Sequence, residues 1–153
     1  MDLILDQSLF FAKLDCRDSI ETIKFLSNEL TKNGYVKSGY SEAIVKRERE
    51  YPTGLPSREP GVAIPHADYQ LVNKTTIAVA TLKEPVMFYN MEAVKKTVPV
   101  QIVIMMAIKE PHGQVEMLQK IVGIIQDDNL RNKIFKASKS TELLSLIQDV
   151  INK

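Results

Sequence analysis

Residues Arg47–Ala67 read REREYPTGLPSREPGVAIPHA, and three kinds of chain follow one another within that stretch. Its charged opening closes a helix predicted over about Ser41 to Glu50, with Ala43, Ile44 and Arg47 spaced along it. From Tyr51 to Gly61, three prolines and two glycines fall in eleven residues, which forbids regular structure and predicts an ordered surface loop. Val62-Ala63-Ile64 is a short apolar strand that stops at Pro65-His66. A histidine at the end of a strand is held by the sheet yet remains accessible, which is where α/β proteins commonly display reacting groups.

Working outward, the flanking segments alternate in the same way. Upstream, Asp18 and Glu21 form a capping-box pattern, Ile20, Ile23, Phe25, Leu26 and Leu30 give a helical stripe, and Asn33-Gly34 stops it. Downstream, Thr75–Leu82 reads as a strand, with a turn at Lys83-Glu84-Pro85 and a short strand around Val86–Phe88. Val98–Ile108 is a continuous apolar run, as expected of a strand buried on both faces. Pro111–Gln126 reads as a helix with Val115, Leu118, Ile121, Val122 and Ile125 on its inner side, and Asn129–Lys136 as a short one. Ser140 is expected to cap a last helix through Ile151, with Leu143, Leu144, Ile147 and Ile151 facing inward. Helices at both ends with strands between them predict one α/β domain.

Composition narrows the function classes. With 153 residues, 44% of them hydrophobic, the chain is long enough to bury a real core. Twenty basic residues against 19 acidic leave a net charge of +1, without the clustered excess of a nucleic-acid binder. The single cysteine, Cys16, precludes an intrachain disulfide and fits a reducing compartment. The N-terminus lacks the basic region of a secretory signal, and the apolar run Ile102–Ile108 is about a third of the ~20 residues a membrane helix needs. A cytoplasmic location is expected. One cysteine and two histidines cannot supply four zinc ligands. The glycine-rich nucleotide loops and the Gly-x-Ser-x-Gly elbow are missing from the sequence.

Only His66 and His112 offer imidazoles. Imidazole is a natural reversible nucleophile near neutral pH, and phosphoryl transfer asks chiefly for alignment and for cations around the equatorial oxygens. Arg47, Arg49 and Arg58 lie close by in sequence, and arginine grips two oxygens with a charge that persists at any working pH. The first helical turn at Pro111-His112-Gly113 offers backbone N–H groups. Two strand ends could bring both rings to one sheet edge. The plainer readings are a hydrogen-bonded loop residue for His66, a surface position for His112, and a solvated helix face for the arginines. Cys16 reads as a structural thiol, and Met87, Met91, Met105 and Met106 as core filler.

Gly61-Val62-Ala63-Ile64-Pro65-His66, with the Arg-Glu pair and the Pro-Thr-Gly loop before it, resembles the enzyme IIA domains of the bacterial phosphoenolpyruvate-dependent sugar phosphotransferase system, fructose–mannitol type. The resemblance implies a single domain over residues 1–153, with a central mixed β-sheet flanked by helices. It implies that His66 is the phosphoryl acceptor, that His112 supports the phosphorylated ring, and that Arg47 neutralises the phosphoryl group. Arg49-Glu50 offers a second register for that arginine. The implied reaction takes a phosphoryl group from the phosphocarrier HPr onto His66 and passes it to a cysteine of an enzyme IIB. A membrane enzyme IIC would couple this to sugar uptake. No metal, cofactor or nucleotide is required, and the domain does not bind the sugar itself. An apolar collar from Leu55 and Val62 would suit transient docking. The loop looks most like that of galactitol-type enzyme IIA proteins. A regulatory enzyme IIA of the nitrogen-linked kind, and a binding module in which His66 only orients a partner, are the competing readings.

Overall fold

Four strands pair side by side in the order β1-β3-β4-β2, and their directions make the sheet mixed. They are β1 (Phe10–Leu14), β2 (Gly61–Ala63), β3 (Thr76–Tyr89) and β4 (Thr97–Ala107). The computed structural model describes residues 3–152. Strands β3 and β4 form a long antiparallel hairpin, with Thr76 opposite Ala107 and Tyr89 opposite Thr97. The outer strands are parallel to their neighbours: β1 runs along β3 and β2 along β4. Five α-helices, α1 (Ser19–Lys32), α2 (Tyr40–Glu50), α3 (Gly113–Gln126), α4 (Asp128–Lys136) and α5 (Ser140–Ile151), and two short 3-10 turns at Gln7–Leu9 and Tyr69–Leu71 make up the other regular elements of the described residues. Helix α1 packs on α2 and β3, while α5 packs on β1 and α3. None of these helices is long and apolar enough to cross a membrane.

Several elements follow the sequence closely, and the departures have physical causes. Asp18 caps α1 by accepting from the Glu21 N–H at 2.8 Å, as the capping pattern predicts. The two strands read at Thr75–Leu82 and Val86–Phe88 are one strand. Its pairing with β4 slips between Thr81 and Val86, so Lys83-Glu84-Pro85 is an irregularity within β3 rather than a turn. Pro85 has no N–H to give a ladder and is tolerated where pairing lapses. Strand β1 has no counterpart in the sequence reading. It is short, lies at an edge, and is broken by Lys13 at φ 60°, so its pattern shows no clean alternation.

Helix α3 keeps part of its expected inner face, with Ile121 buried and Leu118 and Ile125 packed against the core at partial burial. Gly113, Met117, Ile121 and Ile124 are buried, whereas Val115 and Val122 are exposed. Apolar side chains occur nearly all round this helix, so no narrow stripe fixed its phase. In α5, Leu143, Ile147, Val150 and Ile151 are buried and Leu144 is only half-buried. Ser140 does not cap α5: Lys139 holds that position, and the Ser140 hydroxyl donates instead to the Phe10 carbonyl at 2.6 Å. Of the four methionines read as core, Met105 and Met106 are buried, but Met87 and Met91 are exposed.

Candidate active site

Parallel strands end on the same side, so β2 and β4 deliver their C-terminal ends to one edge of the sheet. His66 lies just past β2 and pairs as an isolated bridge with Met106 at the end of β4. The Met106 N–H donates to Pro65 O at 2.9 Å, and the Ile64 N–H donates to Thr53 O at 3.1 Å. The backbone on the N-terminal side of the histidine is therefore pinned from two directions.

The ring is half-buried, and its Nδ1 stands 2.9 Å from the carbonyl of Ile64. A carbonyl can only accept, so Nδ1 carries the proton and Nε2 keeps its lone pair. Burial pushes the imidazole below the ordinary histidine range, and the Arg47 charge pushes the same way against the Ile64 hydrogen bond. The sign for pH follows: the neutral, nucleophilic ring predominates through the neutral range, and the protonated form takes over only below the ordinary histidine value. A histidine NMR titration is expected to give His66 an apparent pKa below 6.5 with Nδ1 protonated, rising in Arg47→Ala. An apparent pKa above 6.5 would contradict this account.

The loop before β2 is held by a residue that the sequence reading passed over. Glu48, buried on α2, accepts from the Thr53 N–H at 2.8 Å and from the Thr53 hydroxyl at 2.6 Å. Burial pushes the Glu48 carboxyl up, against the two Thr53 hydrogen bonds and the Arg47 charge. The available signal was the threonine five residues beyond the glutamate, in a loop with no helical partners for its N–H groups. Further on, the Gly54 N–H donates to Tyr89 O at 3.0 Å and the Leu55 N–H to Val62 O at 2.9 Å. The proline-rich segment is thus tied to α2, β3 and β2.

Arg47 and His66 share a cleft of about 340 Å³. Thr53 and Gln114 supply its other polar groups, and Tyr51, Met91, Val94 and Val115 its exposed apolar rim. The Arg47 guanidinium stands 5.4 Å from the centroid of the Tyr51 ring, a cation–π contact that steadies it at the cleft mouth. Arg49, two residues on, lines grooves elsewhere, beside Lys24 and Glu42 or beside Ser19 and Tyr89. Arg58 leaves the region and pairs with Asp128 at 3.4 Å.

Other sequence candidates fall outside the cleft. His112 stands at the N-cap of α3 with an exposed ring, and the polar side chain from that turn that lines the cleft is Gln114. The Gly113 N–H is occupied by the Glu110 carbonyl at 3.0 Å. Leu55 and Val62 are buried, so the apolar collar is instead the rim of Tyr51, Met91, Val94 and Val115. Cys16 is half-buried, with its thiol pushed up mainly by burial, as befits a structural residue.

Comparison with known proteins gives this geometry a lineage. The chain is 34% identical over 101 residues to the transcriptional regulator ManR of Bacillus subtilis, a match covering 66% of this chain and 14% of that protein. It is 26% identical over 113 residues to the galactitol-specific EIIA component of the Escherichia coli phosphotransferase system, covering 74% of this chain and 75% of that one. In the complex of enzyme IIAMtl and phosphorylated enzyme IIBMtl from Escherichia coli, one chain matches with a TM-score of 0.76 and 22% identity. That match covers 96% of this chain and 99% of the other and speaks to the fold. The family described as "Phosphoenolpyruvate-dependent sugar phosphotransferase system, EIIA 2" matches residues 3–150, so the chain with this histidine cleft belongs to that family of phosphotransferase components.

Proposed function

We propose that the chain is a phosphocarrier that takes a phosphoryl group from phospho-HPr onto Nε2 of His66 and passes it to a cysteine of an enzyme IIB. The observation that carries the reading is the His66 ring itself, fixed through Nδ1 to the Ile64 carbonyl with Nε2 free in a cleft beside Arg47. In the first step the donor's N–P bond breaks as the Nε2–P bond forms, and the donor imidazole leaves with the electron pair. The phosphorylated ring keeps its Nδ1 proton and becomes cationic, and the Ile64 carbonyl accepts from that N–H more strongly than before. Arg47 offsets the charge on the phosphoryl oxygens. In the second step a thiolate takes the group and the neutral ring is restored. The shallow cleft with its exposed apolar rim suits two partners that dock briefly in turn.

The likeness to the galactitol component supports a sugar or sugar alcohol as the final acceptor, with uptake through a membrane enzyme IIC. His112, outside the cleft lining, is the second histidine that in this reading would support the phosphorylated ring. A second reading rests on the ManR likeness: a regulatory module whose His66 phosphorylation reports state instead of feeding transport. The test is intact-protein mass after incubation with phosphoenolpyruvate, enzyme I and HPr, followed by addition of an enzyme IIB. One acid-labile phosphoryl group that then moves to the enzyme IIB supports the carrier reading. A group that loads but does not move supports the regulatory one. No added mass on folded protein with active donors overturns both.

A further inference from the structure

We infer that the side-chain amide of Gln114 is a ligand of the transferring phosphoryl group, working with Arg47 around Nε2 of His66; this rests on the carrier reading above. His66 and Arg47 face two adjoining clefts, of about 340 and 250 Å³, and Gln114 lines both of them with these two residues. Gln114 comes from the first turn of α3 and reaches across to the residue after His66, its Nε2 donating to the Ala67 carbonyl at 3.3 Å. A carbonyl partner fixes which end of the amide is nitrogen. A primary amide has two N–H groups, so one anchors on Ala67 and the other is left to donate into the cleft. The Ala67 contact also holds the amide in place before any ligand arrives, which is the preorganisation that transition-state stabilisation needs.

The chemistry favours a neutral donor at this position. During transfer the group is held by neither nitrogen fully, and its three equatorial oxygens must be contacted while the N–P bonds exchange in line. Arg47 supplies charge; a second cation would hold the product phosphohistidine too firmly for onward transfer. An amide N–H orients one oxygen without adding charge. Gln114, lining both clefts that His66 and Arg47 line, meets that need, whereas the exposed His112 ring lines neither cleft.

The experiment compares wild type, Gln114→Leu, Gln114→Glu and His112→Ala in single-turnover loading from phospho-HPr. The ³¹P shift and hydrolysis half-life of the phosphorylated protein are read as well. Gln114→Leu is expected to slow loading about tenfold to a hundredfold, the span of a hydrogen bond to a charged group. Gln114→Glu is expected to slow it further, because a carboxylate repels the phosphoryl oxygens. Both should move the ³¹P shift, a readout that a mere tie between α3 and Ala67 would leave in place. Wild-type rates and shift in folded Gln114→Glu would overturn the inference even if Gln114→Leu fails to fold. Loss of loading in His112→Ala with none in either Gln114 variant would also overturn it. Failure of wild type to load is a separate result, and strikes the carrier reading itself.

Discussion

His66→Gln is expected to end phosphoryl acceptance, lowering loading by more than about 10⁴-fold, as removal of a nucleophile does. The substitution is chosen for shape. A glutamine amide occupies much of the volume of an imidazole and has an N–H for the Ile64 carbonyl, the bond that His66 Nδ1 makes at 2.9 Å. The lone pair of an amide nitrogen is delocalised into its carbonyl and attacks nothing. The two backbone bonds that brace this position, from Met106 to Pro65 and from Ile64 to Thr53, use no side-chain atom of residue 66. Fold and docking surface therefore stay, and chemistry goes. The check is intact mass after phosphoenolpyruvate, enzyme I and HPr, with circular dichroism to establish folding. A full acid-labile phosphoryl group on the variant would move the nucleophile to His112, the only other histidine in the chain.

How far the sequence discloses this site depends on the kind of signal each part leaves. His66 was legible because a strand, a proline and a proline-rich loop bracket it within a few residues, and local patterns are what sequence carries well. Arg47 was legible as one of two registers. Choosing between them needed the turn of α2, which aims Arg47 at the cleft and Arg49 at other grooves. Glu48 was not legible as a brace, since a carboxylate in a run of charges reads as a solvated face until its partner is placed five residues away. The rim was misplaced for a related reason. Exposure of Val115 and Met91 is a property of which neighbours cover them, and apolar residues all round α3 leave that choice to packing. The mixed sheet came from the resemblance, because strand direction is set by connections that no short segment records.

The glycine that opens β2 carries the second large effect. A Cβ at Gly61 would stand 2.2 Å from the carbonyl oxygen of Pro99, a backbone atom in the paired strand β4. Contact that close cannot be relieved by a rotamer change, so β2 must move away from β4. The register of this pair already slips between Gly61 and Val62, and Ala63 is held opposite Val103 only two residues later. Gly61→Ala is expected to destabilise the protein by about 3 kcal/mol, the upper part of the range for forcing atoms into a packed interior. In a chain of this size that lowers Tm by roughly 6–12 °C. Gly123→Ala serves as the control, because its Cβ would meet nothing within 4 Å on an exposed turn of α3. There alanine is the better helix former, and stability should rise by up to about 1 kcal/mol. Thermal unfolding of the two variants beside wild type decides the matter, and a Tm for Gly61→Ala within a degree of wild type would refute the packing account. Because β2 ends three residues before His66, Gly61→Ala should also slow loading at temperatures where the variant is still folded. The histidine is held in position by the close approach of two backbones that only glycine permits.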